Sequence, residues 1–105
     1  MEIQLKKGLL DAYVLALLRK GDTYGYKLLQ DVSSVIEVSE STLYPVLRRL
    51  EMQGCLNLYQ LEHNGRLRKY YRLTGDGIMR LEEYKRHLTD VKHIIDLIFE
   101  RGVSI

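Results

Sequence analysis

Cysteine occurs once in the 105 residues, at Cys55, so no disulfide can close within the chain. A single thiol fits a reducing compartment. Long apolar runs are missing as well: none approaches the roughly 18 residues of a membrane span, and Met1–Gly8 has no apolar core of a secretory signal. The expectation is a cytoplasmic, soluble protein with no membrane partner. Charge of one sign is not in large excess, since Lys and Arg total 16, Asp and Glu 14, and the formal charge is +2. Bulk electrostatics therefore announce no nucleic-acid partner. His63, His87 and His93 with Cys55 lack metal-ligand spacing. The chain has no Gly-rich phosphate loop, no nucleophile beside a plausible base, and no paired carboxylates in a pocket-forming context. Glu82-Glu83 reads as a solvated helix face. Nothing points to an enzyme, a cofactor or a metal. Repeats, linkers and low-complexity segments are absent too, and the length allows one domain with a modest core.

What charge there is falls unevenly. Residues 1–54 hold seven basic and seven acidic side chains, residues 76–105 five and six, but residues 55–75 hold four against one. A short basic stretch suits a small electrostatic contact surface. Just before it lies Ser39–Gly54, SESTLYPVLRRLEMQG. Leu43, Val46, Leu47 and Leu50 recur there at the spacing of a helix that buries one stripe. Ser41, Pro45, Arg48 and Met52 occupy the opposite face, with Thr42, Tyr44 and Arg49 flanking it. Ser39 or Ser41 is placed to cap the start, and Gly54 to end it. Pro45 removes a donor near the first turn, where the loss is small. An outer surface so rich in hydroxyls can enter a DNA major groove and bond base edges.

The elements before it complete a helix-turn-helix. Leu5–Lys20 reads as a first helix, with Leu9, Leu10, Tyr13, Val14, Leu17 and Leu18 apolar and Lys6, Lys7 and Asp11 outside. Its apolar arc is wider than one core face requires, which leaves part of it for a partner subunit. Gly21-Asp22 ends it, and Thr23 caps a second helix from Tyr24 to about Val35 with Leu28, Leu29 and Val32 inward. Ile36–Val38 is the turn before the third helix. After Gly54 the period becomes β-like. Cys55, between Gly54 and Leu56, fits a buried small hydrophobe. Asn64-Gly65 is a strong hairpin signal because both residues tolerate positive φ. Leu67, Lys69, Tyr71 and Leu73 fall on one side of the returning strand, Arg68, Tyr70 and Arg72 on the other. A hairpin in that place is the wing of a winged helix, and Arg66, Arg68 and Lys69 sit at its tip and return strand.

Thr74-Gly75-Asp76 opens a last helix to about Arg101. Leu81, Tyr84, Leu88, Val91, Ile95 and Ile98 follow one another in it at heptad spacing, and Ile78, Ile94 and Phe99 widen the stripe. At 1.5 Å per residue the helix is roughly 40 Å long, too long for so small a domain to cover. A homodimer seam along those six residues is the simplest way to hide them. The expected fold is thus mainly α with a small β-hairpin. Residues 1–75 form a winged helix-turn-helix and residues 76–105 a C-terminal dimerisation helix, within one structural unit.

KKGLLDAYVLALL, DTYGYKLLQ, STLYPVLRRLEMQG and RLRKYYRLTGDG follow one another between Lys6 and Gly77. On these segments the chain closely resembles the PadR family of bacterial winged-helix transcriptional regulators. A single C-terminal helix makes it similar to the short subfamily. The resemblance implies a homodimeric repressor of a near-palindromic double-stranded DNA operator close to its own promoter. It also implies a third helix in the major groove, a wing and second-helix start on phosphates, and release of DNA in some members by a small aromatic effector. Two departures stand out. Glu40-Ser41 replaces the Pro-Gly that precedes TLYP in many members, and a carboxylate there repels phosphate unless it accepts from a cytosine amino group. The chain also lacks tryptophan, so the paired-tryptophan ligand slot of some short members does not carry over.

Ser41, Thr42, Tyr44 and Arg48 are the candidates for groove contact. Tyr24 and Lys27 open the second helix, whose N-terminus favours phosphate. For Tyr26 beside them a core role is nearly as well founded, and Gly25 lets the backbone come close. Arg66, Arg68 and Lys69 would grip phosphate or a minor groove. Tyr70 and Tyr71 read as strand packing. Two other classes stand beside DNA binding: a protein-docking module and a small-molecule carrier using the dimer cavity. The wing's charge and the third helix's hydroxyls weigh against docking, salt-dependent DNA affinity settles that choice, and tight ligand binding without any DNA binding would favour the carrier.

Overall fold

The computed structural model describes residues 2–100, with side chains from Gly8 onward. Leucine and valine at helical spacing build α1 (Glu2–Lys20), and Gly21 ends it with an amide bond back to the Leu18 carbonyl. Two residues of strand, β1 (Thr23–Tyr24), precede α2 (Gly25–Ser33) and α3 (Glu40–Met52). The hairpin β2 (Leu56–His63) and β3 (Arg66–Leu73) follows, and α4 (Gly75–Glu100) closes the chain. Arg101, read from sequence as the end of the last helix, and the rest of the 76–105 segment past Glu100 lie outside the described residues. So do the side chains of Lys6 and Lys7. Among the described residues no helix is long and apolar enough to cross a membrane.

One core joins all four helices to the base of the hairpin. Val14, Leu15, Leu28, Val32, Leu43, Leu47 and Leu50 are fully buried, and Cys55, Leu56 and Leu81 nearly so. The apolar stripe of α3 is the one its spacing predicts. Its end is a Schellman motif: the Cys55 amide bonds the Leu50 carbonyl, the Gly54 amide bonds Glu51, and Gly54 takes φ +79°. At the other end Ser39 holds the N-cap backbone position but makes no side-chain cap bond. Its hydroxyl lies 2.9 Å from that of Ser41 and 3.4 Å from that of Thr42. Neighbouring hydroxyls have drawn it from the amide that capping requires. Because the helix starts at Glu40, Pro45 sits in the second turn, inside the helix rather than at its rim. The Ser41 carbonyl therefore loses its i+4 donor, on the exposed side where water can replace it.

The remaining differences from the sequence reading have physical causes. Thr23 does not cap α2; with Tyr24 it pairs antiparallel to Tyr71 and Tyr70, making a third strand in a sheet of order β1-β3-β2. Both residue types favour strands, and the free edge of β3 offers them partners. Asp11 is not outside but 2% exposed. Arg49 Nη2 donates to both of its oxygens, at 2.8 and 2.9 Å, and the Tyr84 hydroxyl to one of them at 3.0 Å. Helical periodicity alone had put a charge on the outer face, whereas α3 and α4 cover that face and bring it partners. Leu81, assigned to a dimer seam, is 2% exposed inside the protomer's own core, and Tyr84 packs half-buried beside it. A partner cannot reach Leu81, because α1 already covers that end of α4.

Glycine is required where the wing meets α4. A Cβ on Gly77 would lie 2.3 Å from the Cys55 carbonyl oxygen and 2.5 Å from a Leu73 methyl. Thr74 reinforces the junction: its hydroxyl donates to the Gly54 carbonyl at 2.6 Å and accepts from the Gly77 amide at 3.0 Å.

Removing the shared acceptor of the helix network should destabilise the chain measurably. Breaking a buried ion pair costs about 3–5 kcal/mol, and the partial exposure of Arg49 puts Asp11→Ala near the lower end. Urea unfolding checks this, and a loss below about 1 kcal/mol would show the pair to be incidental. Burial first, and then the Asp11 charge, raises the Tyr84 phenol above its ordinary value of 10.0. A raised folded-state pKa contributes stability that is full below the unfolded value and is lost as pH climbs through the folded one. Melting temperature should therefore fall above pH 10, and Tyr84→Phe should flatten that fall. An unchanged alkaline slope in the variant would assign the fall to other groups.

Candidate nucleic-acid interface

The exposed face of α3 carries Ser41, Tyr44, Arg48 and Met52 because its opposite stripe is spent on the core. Glu40, Ser41, Tyr44, Pro45, Arg48 and Met52 line an open cleft of about 440 Å³ along this face. A second cleft, of about 570 Å³, runs between the start of α2 and the wing, with Tyr24, Tyr26, Tyr44, Arg68, Lys69 and Tyr71 on its walls. Tyr44 lines both, so the two clefts form one surface. Gly25 allows the join: a Cβ there would come within 2.9 Å of the Tyr44 ring. Burial, followed by Tyr44 and Glu51, raises the Tyr71 phenol, which is thus a neutral hydroxyl at physiological pH.

The wing is set by its turn. Asn64 and Gly65 take φ +52° and +80°, the two positive values that a two-residue type I′ turn requires. From there the register runs outward from His63↔Arg66 through Tyr59↔Tyr70 to Leu56↔Leu73. Leu56, Leu58, Tyr71 and Leu73 consequently share the face towards the core. Arg68, Tyr70 and Arg72 share the other with Tyr59 and Tyr24.

The sequence candidates fall into two groups and a remainder. Tyr24, Tyr44, Arg68 and Lys69 meet around the wing cleft, and Ser41, Tyr44 and Arg48 around the cleft of α3. Arg66 is exposed at the foot of the turn. Thr42 is exposed but lines neither cleft, with its hydroxyl turned towards Ser39. Lys27 lies outside both and forms an exposed i,i+4 pair with Asp31 at 2.8 Å, a bond that raises its pKa and keeps it charged. Tyr26 is no core residue: it is 62% exposed and belongs to the wing cleft. Glu40 brings a carboxylate into the cleft that holds Arg48.

Sequence reasoning passed over Asp22, Tyr59 and Arg72. Asp22 Oδ2 accepts from the Tyr59 hydroxyl at 2.6 Å and from Arg72 Nε at 3.1 Å. Each of these bonds is the main cause of its donor's raised pKa, the Tyr59 phenol's and the Arg72 guanidinium's. Part of the signal was available, since counting outward from Asn64-Gly65 pairs Tyr59 with Tyr70. Nothing local points from Asp22 to a strand that begins more than thirty residues later.

Known proteins share both the sequence and the fold. A model of the family described as "Transcriptional regulator PadR-like family" matches residues 14–83. Over 71 residues the chain is 39% identical to a transcriptional regulator of Mycobacterium tuberculosis, an alignment covering 67% of this chain and 66% of that protein. The crystal structure of a Streptococcus mutans UA159 protein superposes with a TM-score of 0.86 at 40% identity, covering 90% of each chain. That of a PadR family transcription regulator from Clostridium difficile R20291 gives 0.78 at 30% identity, covering 86% of this chain and 97% of the other.

Cations around the wing should supply affinity more than sequence preference. Replacing Arg66, Arg68 and Lys69 together by Ala should lower the magnitude of the slope of log K against log[salt] on duplex DNA. The decrease should be about 0.9 for each phosphate that is no longer neutralised. Titrations at several salt concentrations measure it. A triple variant with the wild-type slope would remove the wing from the interface.

Proposed function

Since the chain belongs to the PadR-like family of transcriptional regulators, and is therefore a DNA-binding regulator rather than an enzyme, we propose that it is a homodimeric repressor of a near-palindromic operator close to its own promoter. The observation that carries the proposal is the continuous surface joined at Tyr44. One part of it is a helix face of hydroxyls and Arg48; the other is a cleft whose cations, Arg68 and Lys69, face no acidic side chain among its lining residues.

The division of work follows from chemistry. In this reading α3 lies in the major groove, where Ser41, Thr42, Tyr44 and Arg48 reach base edges and neighbouring phosphates. Arg66, Arg68 and Lys69 hold the backbone, and the N-terminus of α2, with Lys27, faces a phosphate. Glu40 acts as a filter. Its charge disfavours close phosphate approach and favours a base amino group.

One winged domain reads too short a site for useful specificity, and a two-fold dimer sets two recognition helices about 34–36 Å apart on successive grooves. The dimerisation segment in this proposal is residues 76–105, with its working part beyond Tyr84. Leu88 and Val91 are half-covered within the protomer, whereas Ile94, Ile95, Leu97, Ile98 and Phe99 are 41–72% exposed. So much apolar surface at one helix end is what a second copy would hide. Release by a small aromatic effector, in a cytoplasmic setting, is the part of the reading that family membership alone supports. The two clefts described above are open surface.

Footprinting on the DNA upstream of the protein's own gene tests the repressor reading, with a protected, near-palindromic site expected. No protection there, with binding elsewhere, would reassign the target. Ile95→Glu tests the dimer. Two symmetry-related carboxylates in an apolar interface cost several kcal/mol each to desolvate. Sedimentation should show monomer and footprinting no protection. A variant still dimeric and still protecting the site would move the interface off α4.

A further inference from the structure

Tyr24, Tyr70 and Tyr59 lie side by side across the three strands, on the outer face of the sheet. The Tyr59 and Tyr70 rings stack with centroids 5.6 Å apart and planes 18° from parallel. Tyr70 then meets Tyr24 edge-on at 5.7 Å and 75°. A guanidinium closes each end of the row: Arg68 over Tyr24 at 4.0 Å and Arg72 over Tyr59 at 4.6 Å. Asp22, in the link between α1 and β1, ties down the Arg72 end through both Arg72 and Tyr59. The row therefore fastens the wing to the start of α2. At its other end stands Arg68, which lines the wing cleft and has no carboxylate partner among the described residues.

An arginine on a flexible hairpin ordinarily samples many rotamers. Resting its planar face on an aromatic ring restricts that freedom, yet leaves the N–H donors along its edge unused. Tyr24 is suited to the task because its backbone is held in β1 and its ring is wedged against Tyr70.

We propose that Tyr24 is a positioning residue for DNA binding: its ring holds the Arg68 guanidinium in the wing cleft, ready for a backbone phosphate, while its own hydroxyl makes no essential contact. The proposal rests on the reading that the wing contacts DNA. It replaces a phosphate contact by Tyr24 itself with a mechanical role, and makes Asp22 the distant anchor of the same row.

Direct contact needs the hydroxyl, whereas positioning needs the ring, so conservative variants separate them. The full-length protein is titrated onto a mixed-sequence duplex long enough for two successive major grooves, across a range of salt. The variants are Tyr24→Phe, Tyr24→Leu, Arg68→Ala and the double variant Tyr24→Leu with Arg68→Ala. Tyr24→Phe should match wild type in affinity and slope. Tyr24→Leu should weaken binding several-fold and reproduce most of the slope change of Arg68→Ala, about 0.9 for one phosphate left without its cation. The double variant should bind no more weakly than Arg68→Ala alone. Phe behaving like Leu, or effects that multiply in the double variant, would overturn the proposal. If Arg68→Ala leaves both affinity and slope unchanged, the wing reading itself has failed, and the proposal falls with it in a recognisably different way. Nuclear magnetic resonance of the free protein gives a test independent of any destabilised variant. The Arg68 side-chain protons should be ring-current shifted in wild type and in Tyr24→Phe, and ordinary random-coil shifts in both would also refute the role.

Discussion

The Asp11 carboxylate is the point on which the helical scaffold turns. It is a charge on α1, almost without solvent, and it is tolerable only because Arg49 of α3 and Tyr84 of α4 both donate to it. Apolar packing would allow three helices to slide or rotate against one another by small amounts at little cost. A carboxylate with three short, directional bonds from two other helices does not allow that. The residue that donates from α3 is the immediate neighbour of Arg48, so the network fixes the rotation of α3 about its axis and thereby which side chains face outward. Through Tyr84 the same network orients α4. In the proposed dimer along the end of α4, the spacing of the two α3 helices would then depend on a buried charge inside each protomer.

The wing depends on a second set of constraints. The Asn64-Gly65 turn fixes the register, and the register decides which side chains face the core and which form the tyrosine row. β1 is only two residues long, but it anchors the outer edge of β3 and ties it to the start of α2. At the base of the hairpin, Gly77 and Thr74 bring α4 against the Cys55 carbonyl. Hairpin, α3 and α4 are thus coupled at a few defined points, and between those points lie the open clefts. This is the usual economy of a binding domain, with rigid elements presenting polar groups that the core has no use for.

How α4 is used changes along its length. Its first turns belong to the protomer core through Gly77, Leu81 and Tyr84, and its last turns show isoleucine, leucine and phenylalanine to solvent. The exposed residues do not form a narrow stripe. Ile94, Ile95, Leu97, Ile98 and Phe99 spread around more of the helix than a simple two-stranded seam needs, which suits contact with more than one neighbouring element.

The sequence by itself determined the order of the four helices and the hairpin, the buried stripe of α3, the hairpin's turn, and the concentration of cations on the wing. These are local properties. Helical spacing, two residues tolerant of positive φ, and a run of basic side chains each act within a few positions, and the chain states them directly. Family likeness was legible for the same reason, being carried by contiguous segments. Tertiary structure alone decided the rest. Asp11 reads as a solvated charge until α3 and α4 close over it. Leu81 reads as a seam residue until α1 covers it, and Thr23 reads as a cap until β3 offers it a strand to join. Tyr24 acquires its arginine, and Asp22 its tyrosine, across separations of more than thirty residues. Periodicity states which face of an element is apolar, but not what will lie against that face. Burial, and with it the worth of every charge and ring, belongs to the neighbour as much as to the residue.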